Sequence, residues 1–135
     1  MSGGAIEALV LEGPRTLRRH ELPMPAVGDD DGILRVEACG LCGTDHELYT
    51  GVIAPGFPFV PGHEAVGVIE AVGDRAAERW GVRAGDRVAV EVFLSCRSCA
   101  PCRRGEYRRC ESHGLAHMYG MTSTISSPSS TTSRS

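Results

Sequence analysis

Cys96, Cys99, Cys102 and Cys110 crowd into one short stretch at the spacing C-x2-C-x2-C-x7-C. A segment that must bring four thiols together has little freedom to be anything but a compact, loop-rich lobe. Two chemistries fit such a cluster, disulfides or a metal. The chain opens Met1-Ser2-Gly3-Gly4-Ala5, with no cationic region and no long apolar run, so no secretory signal is read. Without export, thiols stay reduced and metal is favoured. A C-x2-C turn presents two thiolates to one ion, and zinc takes four in a tetrahedron. So little core is available to this stretch that the metal itself would hold it together. An iron–sulfur cluster is the rival, but its motif continues with x3-C-P, whereas x7-C without Pro follows here.

A second, mixed set of donors lies upstream. Gly40-Leu41-Cys42-Gly43-Thr44-Asp45 is followed by Pro61-Gly62-His63-Glu64, which opens the strand-like run to Gly73. Thiolate, imidazole and carboxylate together can bind zinc and leave a position open for chemistry. A His-Glu pair at a strand start is, taken alone, an ordinary polar edge. Cys39 and Cys42 also form a C-x-x-C, but a redox pair of that type needs a helix N-terminus and a βαβ setting. Neither flank offers one, so Cys39 is read as a small buried hydrophobe of the strand.

The 135 residues suit one domain, and a 41% hydrophobic content with 5% aromatics points to a core of Val, Ala, Leu and Ile. No run long enough to span a membrane occurs. The net charge of −3 gives no global signal for nucleic acid. Arg97, Arg103, Arg104, Arg108 and Arg109 are therefore read as a solvated basic face. Residues 6–11 and 16–22 read as strands around Gly13-Pro14. Residues 33–38 alternate, with Leu34, Val36 and Ala38 on a buried face and Arg35 and Glu37 outside. Thr44 with Glu47 reads as the cap of a short helix ended by Gly51. Residues 64–72 read as a strand in which Gly67 marks a bulge or a close approach, and Gly85-Asp86 as a turn into a strand over 87–93. His46 is read as at most a cleft-wall residue. His20, His113 and His117 read as surface residues, and Tyr49 and Trp80 as packing residues.

These motifs together resemble the zinc-dependent, medium-chain alcohol dehydrogenases. The signature G-H-E-x2-G-x5-[GA]-x2-[small or branched] is met by Gly62, His63, Glu64, Gly67, Gly73 and Ala76. Cys42 to Asp45 match Cys-Gly-Thr/Ser-Asp, and the four later cysteines match the family's structural-zinc element. The resemblance implies a mainly β fold, a GroES-like partly open β-barrel with short helices and a zinc lobe over 94–112. It implies an incomplete domain over 1–121, about the first third of a family member, with the nucleotide-binding domain absent. Residues 122–135, rich in Ser and Thr, are expected to be a disordered tail and the mark of a fragment or frameshift.

The resemblance also assigns roles. Cys42 and His63 bind a catalytic zinc, and Glu64 binds it directly or exchanges with water. Asp45 hydrogen-bonds the ligating histidine. Thr44 passes the alcohol proton toward solvent. Cys96, Cys99, Cys102 and Cys110 hold a structural zinc. The implied reaction is oxidation of a small alcohol to a carbonyl with NAD(P). No G-x-G-x-x-G follows a strand in this sequence, so the isolated chain is expected to be inactive. A cytoplasmic protein is expected, without nucleic-acid or membrane partners and oligomeric only at full length. The alternative is a non-catalytic zinc module that binds a partner.

Overall fold

The computed structural model describes residues 4–113 and Met118. Strands β1 (Ala5–Gly13) and β2 (Thr16–Pro23) form an antiparallel hairpin. Its turn places Arg15 at φ 59. The Arg15 amide then donates to the Tyr49 carbonyl at 2.6 Å, which ties the hairpin to the first helix. Strands β3 (Gly32–Gly40), β4 (Glu64–Val72) and β5 (Arg87–Ala89) form a separate antiparallel sheet with β4 in the middle. Among the described residues the sheets do not close on one another, so the mainly β, partly open architecture expected from the sequence is what is seen.

The core is small. Leu11, Leu48 and Phe59 are packed together with almost no exposure. Leu11 and Phe59 exchange backbone hydrogen bonds at 2.9 and 3.2 Å, and Phe57 stacks on Phe59 with centroids 5.7 Å apart. Three distant segments thus meet on one cluster, and truncating Phe59 or Leu11 to Ala should cost about 2–5 kcal/mol.

The Gly67 reading holds. The register slips between Val36 and Ala38, where Glu37 is the extra residue opposite Gly67. A Cβ at Gly67 would collide with the Arg35 carbonyl. Other expectations need correction. The bulge breaks the alternation of β3, and Val36 and Ala38 are exposed, Val36 at 55%. The strand expected over 87–93 ends at Ala89. Beyond it the Glu91 carboxylate accepts from the Phe93 amide at 3.2 Å, a local bond that competes with the ladder. Phe93 instead makes an isolated bridge to Met118.

Helix α2 (Asp74–Trp80) was not anticipated. It sits against the loop 28–32, where Ala76 donates to the Asp29 carbonyl at 2.9 Å and Arg79 bonds Asp30 at 2.9 Å. Trp80 does pack, over Gly32 and beneath the Arg79 guanidinium, yet stays 39% exposed. The expected tail over 122–135, and His117, lie outside the described residues.

Candidate metal centres

The mixed site is made by the β3–β4 register. Gly40 pairs with Glu64, so the chain leaving β3 and the chain entering β4 meet at one end of the sheet. Two residues past Gly40 comes Cys42, and one residue before Glu64 comes His63. Their side chains touch, with Cys42 Sγ and His63 Nε2 3.2 Å apart.

Cys42 also begins helix α1 (Gly43–Thr50). The helix cap is therefore Cys42, not Thr44, and its acidic partner is Asp45, not Glu47. Cys42 has the extended backbone that a cap needs, and Asp45 Oδ2 accepts its amide at 2.9 Å. Gly51 ends the helix at φ 83, as expected. The other oxygen of Asp45 faces His63 Nδ1 at 3.6 Å, with both side chains at 10% exposure or less. Neither that oxygen nor that nitrogen has a hydrogen-bond partner. One carboxylate thus reaches toward both donors, through the backbone of Cys42 and the ring of His63.

Cys42, Asp45 and His63 each place a ligand atom within 4.8 Å of the others. A thiol against an imidazole, backed by a buried carboxylate, is a donor set that suits zinc. Thr44 lies half-buried on the first turn beside them. Glu64 does not join the cluster: it is exposed, and its carboxylate folds over Gly40. Cys39 is not buried as expected. It is exposed, with its sulfur against Gly62 and 3.7 Å from the Gly40 carbonyl. His46 is exposed on α1, and His20 bonds Glu12 at 2.8 Å on the hairpin.

The sulfur site is built differently. Cys96, Cys99, Cys102 and Cys110 lie within 4.8 Å of one another, and the last two are buried. Cys99 starts helix α3 (Ala100–Arg103), which carries Cys102 on its inner side, and a 3-10 turn (Tyr107–Arg109) delivers Cys110. The lobe aims donors at its sulfurs. The amides of Cys96 and Cys99 each lie 3.3 Å from a sulfur, of Cys110 and of Cys96 respectively. The Cys96 amide, with the backbone of Ser112 and His113 and the His113 side chain, holds the Cys110 thiol down at about 5. The Ser98 hydroxyl, helped by the Cys99 amide, lowers Cys96 to about 7. Burial first, and neighbouring sulfur second, push Cys102 up to about 12.

These opposed shifts describe a pocket that invites negative sulfur and cannot hold four such charges uncompensated. A dication held by Cys96, Cys99, Cys102 and Cys110 would offset the burial penalty and favour the thiolate of Cys102. Arg97 sits at φ 60 between the first two cysteines, and its guanidinium stacks 4.5 Å from the Tyr107 ring. This contact clasps the two halves of the lobe. His113 is not the surface residue expected from the sequence: it is half-buried and serves Cys110. The C-x2-H spacing from Cys110 to His113 was the available signal. Arg104 and Arg109 share Glu106 at 3.2 and 3.7 Å, with well-solvated side chains. No helix among the described residues is long and apolar enough to cross a membrane.

Two clusters of candidate metal donors sit on a GroES-like β scaffold of the kind found in zinc-type alcohol dehydrogenases. The chain belongs to the alcohol dehydrogenase family, matching its GroES-like domain over residues 28–131. A probable alcohol dehydrogenase of Mycobacterium tuberculosis is 69% identical over 121 residues, which cover 89% of this chain and 33% of that protein. The erythritol/L-threitol dehydrogenase of Mycolicibacterium smegmatis is 36% identical over 82% of this chain and 33% of its own length. A cobalt- and zinc-bound thermostable alcohol dehydrogenase from Pyrobaculum aerophilum superposes with a TM-score of 0.77 at 29% identity, over 88% of this chain and 36% of that one. The chain thus spans about a third of the length of the curated relatives it matches.

Proposed function

We propose that this chain forms the metal-bearing wall of the active-site cleft of a zinc- and NAD(P)-dependent dehydrogenase acting on small alcohols or polyols. The observation that carries this reading is the Cys42–His63 contact at 3.2 Å, backed by the buried Asp45. Cys42 and His63 would hold the catalytic zinc, which as a Lewis acid stabilises an alkoxide. Asp45, whose Oδ1 lies 3.6 Å from His63 Nδ1, would keep the ring turned so that Nε2 faces Cys42. The same carboxylate fixes the Cys42 backbone through the helix cap. Thr44, beside both, would carry the hydroxyl proton away. Glu64 starts one residue from His63 on an exposed strand end, from which a change of rotamer would bring its carboxylate toward the site.

The four-cysteine lobe would hold a second zinc with a purely structural duty. The sequence contains no glycine-rich strand-to-helix turn for a dinucleotide. In this reading the hydride acceptor is held by a different polypeptide stretch, and the chain alone turns over no alcohol.

A chimera tests the proposal. Residues 1–121 of this chain replace the matching part of the Mycobacterium tuberculosis relative, and alcohol-dependent NAD(P) reduction is followed. Activity is expected, and Cys42→Ala or His63→Ala should remove it. Thr44→Ala should keep the metal and slow turnover by about 10²–10⁴-fold. Turnover that survives Cys42→Ala with the metal gone would sink the reading. A metal-loaded, folded chimera without any activity on alcohols or polyols would favour the second reading, a non-catalytic zinc module.

A further inference from the structure

Gly40 closes β3 opposite Glu64, the first residue of β4. A glycine within a strand pairing weakens it, so its presence there calls for a reason. Two common reasons do not apply. The φ of Gly40 lies outside the left-handed region that favours glycine. The pairing is also regular at this end, since the register shifts lie further back, between Ile33 and Leu34 and between Val36 and Ala38. What remains is space. A Cβ on Gly40 would collide with Glu64 Oε2 and stand 3.1 Å from Glu64 Cβ and 3.3 Å from its Cδ. The Glu64 side chain thus lies across the end of β3, in the room that a side chain at position 40 would take.

Nothing polar holds it there. Among the described residues the Glu64 carboxylate makes no hydrogen bond and no ion pair. Its resting place borders the mixed site on both chains. His63 precedes Glu64, and Cys42 follows Gly40 by two residues. Cys42, Asp45 and His63 bring their ligand atoms within 4.8 Å of one another, and Glu64 is not among them. A carboxylate so close to three donors is the group best placed to fill a further position on a cation they hold. A site that is to take a substrate oxygen needs that position left free.

We propose that Gly40 is a positioning residue for Glu64: its missing side chain gives the Glu64 carboxylate a place off the Cys42–Asp45–His63 cluster, and so keeps a position there open for substrate oxygen. The proposal rests on the reading of Cys42 and His63 as zinc ligands. The methyl of Gly40→Ala meets the far end of a flexible side chain, so Glu64 turns away while the strands stay paired. No arginine is paired with Glu64, and the strongest pull on the displaced carboxylate is then a dication held by Cys42 and His63.

Graded chelation of the zinc-loaded, reduced full chain tests this, read as the Kd of the more labile zinc. Gly40→Ala should tighten that zinc about tenfold by adding a ligand. Glu64→Gln alone should change it by less than about threefold, because the carboxylate rests away from the cluster. Gly40→Ala combined with Glu64→Gln should show none of the tightening, whereas a merely structural effect of the methyl would persist. Melting temperature and the firmly held zinc of each variant report its fold. Gly40→Ala that leaves the labile zinc unchanged or weakens it overturns the proposal, as does tightening that survives in the double variant. A tenfold loss from Glu64→Gln alone also overturns it, by showing the carboxylate already on the metal; this arm keeps Gly40 and decides even if Gly40→Ala does not fold. Cys42→Ser separates the proposal from the reading beneath it. A labile zinc indifferent to Cys42→Ser removes the site itself; with that zinc lost, the other variants judge Gly40 alone.

Discussion

The two candidate metal centres show two ways of assembling donors. The sulfur lobe draws all its ligands from one short stretch, Cys96 to Cys110, and orders them with its own amides, a four-residue helix and a 3-10 turn. The mixed site takes Cys42 and Asp45 from a helix start and His63, 21 residues beyond Cys42, from the residue just before β4. Nothing local joins these; the β3–β4 register does. The lobe is thus independent of the sheet, and the mixed site is hostage to it. The lobe also brings four sulfurs together, enough to close a tetrahedron, whereas the mixed site brings three donors. Closed sulfur suits a structural ion, and a partly open shell suits chemistry.

The largest test of this contrast is Cys110→Ser. It removes the thiol most strongly poised as a thiolate and should cost most of the apparent 10–16 kcal/mol that a structural zinc supplies. Loss of the tight metal and local melting of residues 95–113 are expected, read by elemental analysis and hydrogen exchange. The β1–β2 hairpin should keep its protection.

Gly67→Ala attacks the other centre without touching a ligand. Its methyl would meet the Arg35 carbonyl, so the strands must part or slip, at about 1–3 kcal/mol. The metal at Cys42 and His63 should weaken while that at the four cysteines holds. Equal loss from both sites would show that they are not independent.

Acid sharpens the comparison next. In the metal-free chain, Cys110 is lowered from its ordinary 9.0 to about 5 and Cys96 to about 7. A lowered thiol contributes stability that is complete above the unfolded value and lost as pH falls through the folded one. That loss runs from about 9 to about 5 for Cys110. Cys102 is raised to about 12, so its contribution is complete below the ordinary value and disappears as pH climbs to about 12. The metal-free lobe should therefore be most stable near pH 9. A thermal melt that follows the lobe across pH should flatten on its acid side in Cys110→Ser, and more than in Cys96→Ser.

The smallest effect belongs to the clasp. Arg97→Ala removes the guanidinium over Tyr107 and should cost about 0.5–1 kcal/mol, speeding metal release to a chelator only a few-fold.

The same contrast governs what could be read in advance. The lobe was legible because its ligands are neighbours in sequence, and spacing alone specifies a metal turn. Cys42 and His63 stood out as donor types, but that they meet was implied by the resemblance alone, because no periodicity shows that Gly40 will pair with Glu64. The cap of α1 was misplaced onto Thr44 because cysteine is outside the usual capping residues, and Asp45 was already spoken for by His63. Cys39 and Val36 were expected inside because alternation marks a face as apolar without saying what covers it. Helix α2 had signals that went unused, with Asp74 in its first turn and Gly81 closing it at φ 65. Gly67 was read correctly because a glycine within a strand has few reasons to be there other than close approach.

The central claim is that one tight, locally built centre and one weaker, register-built centre coexist on this chain. Metal content under a graded chelator, measured for Cys96→Ser and Cys42→Ser, tests it directly. The parent chain should hold close to one zinc firmly and release a second early. Cys96→Ser should lose the firm zinc and Cys42→Ser only the labile one. If Cys42→Ser lost the firm zinc while Cys96→Ser kept it, the two assignments would be reversed and the account contradicted.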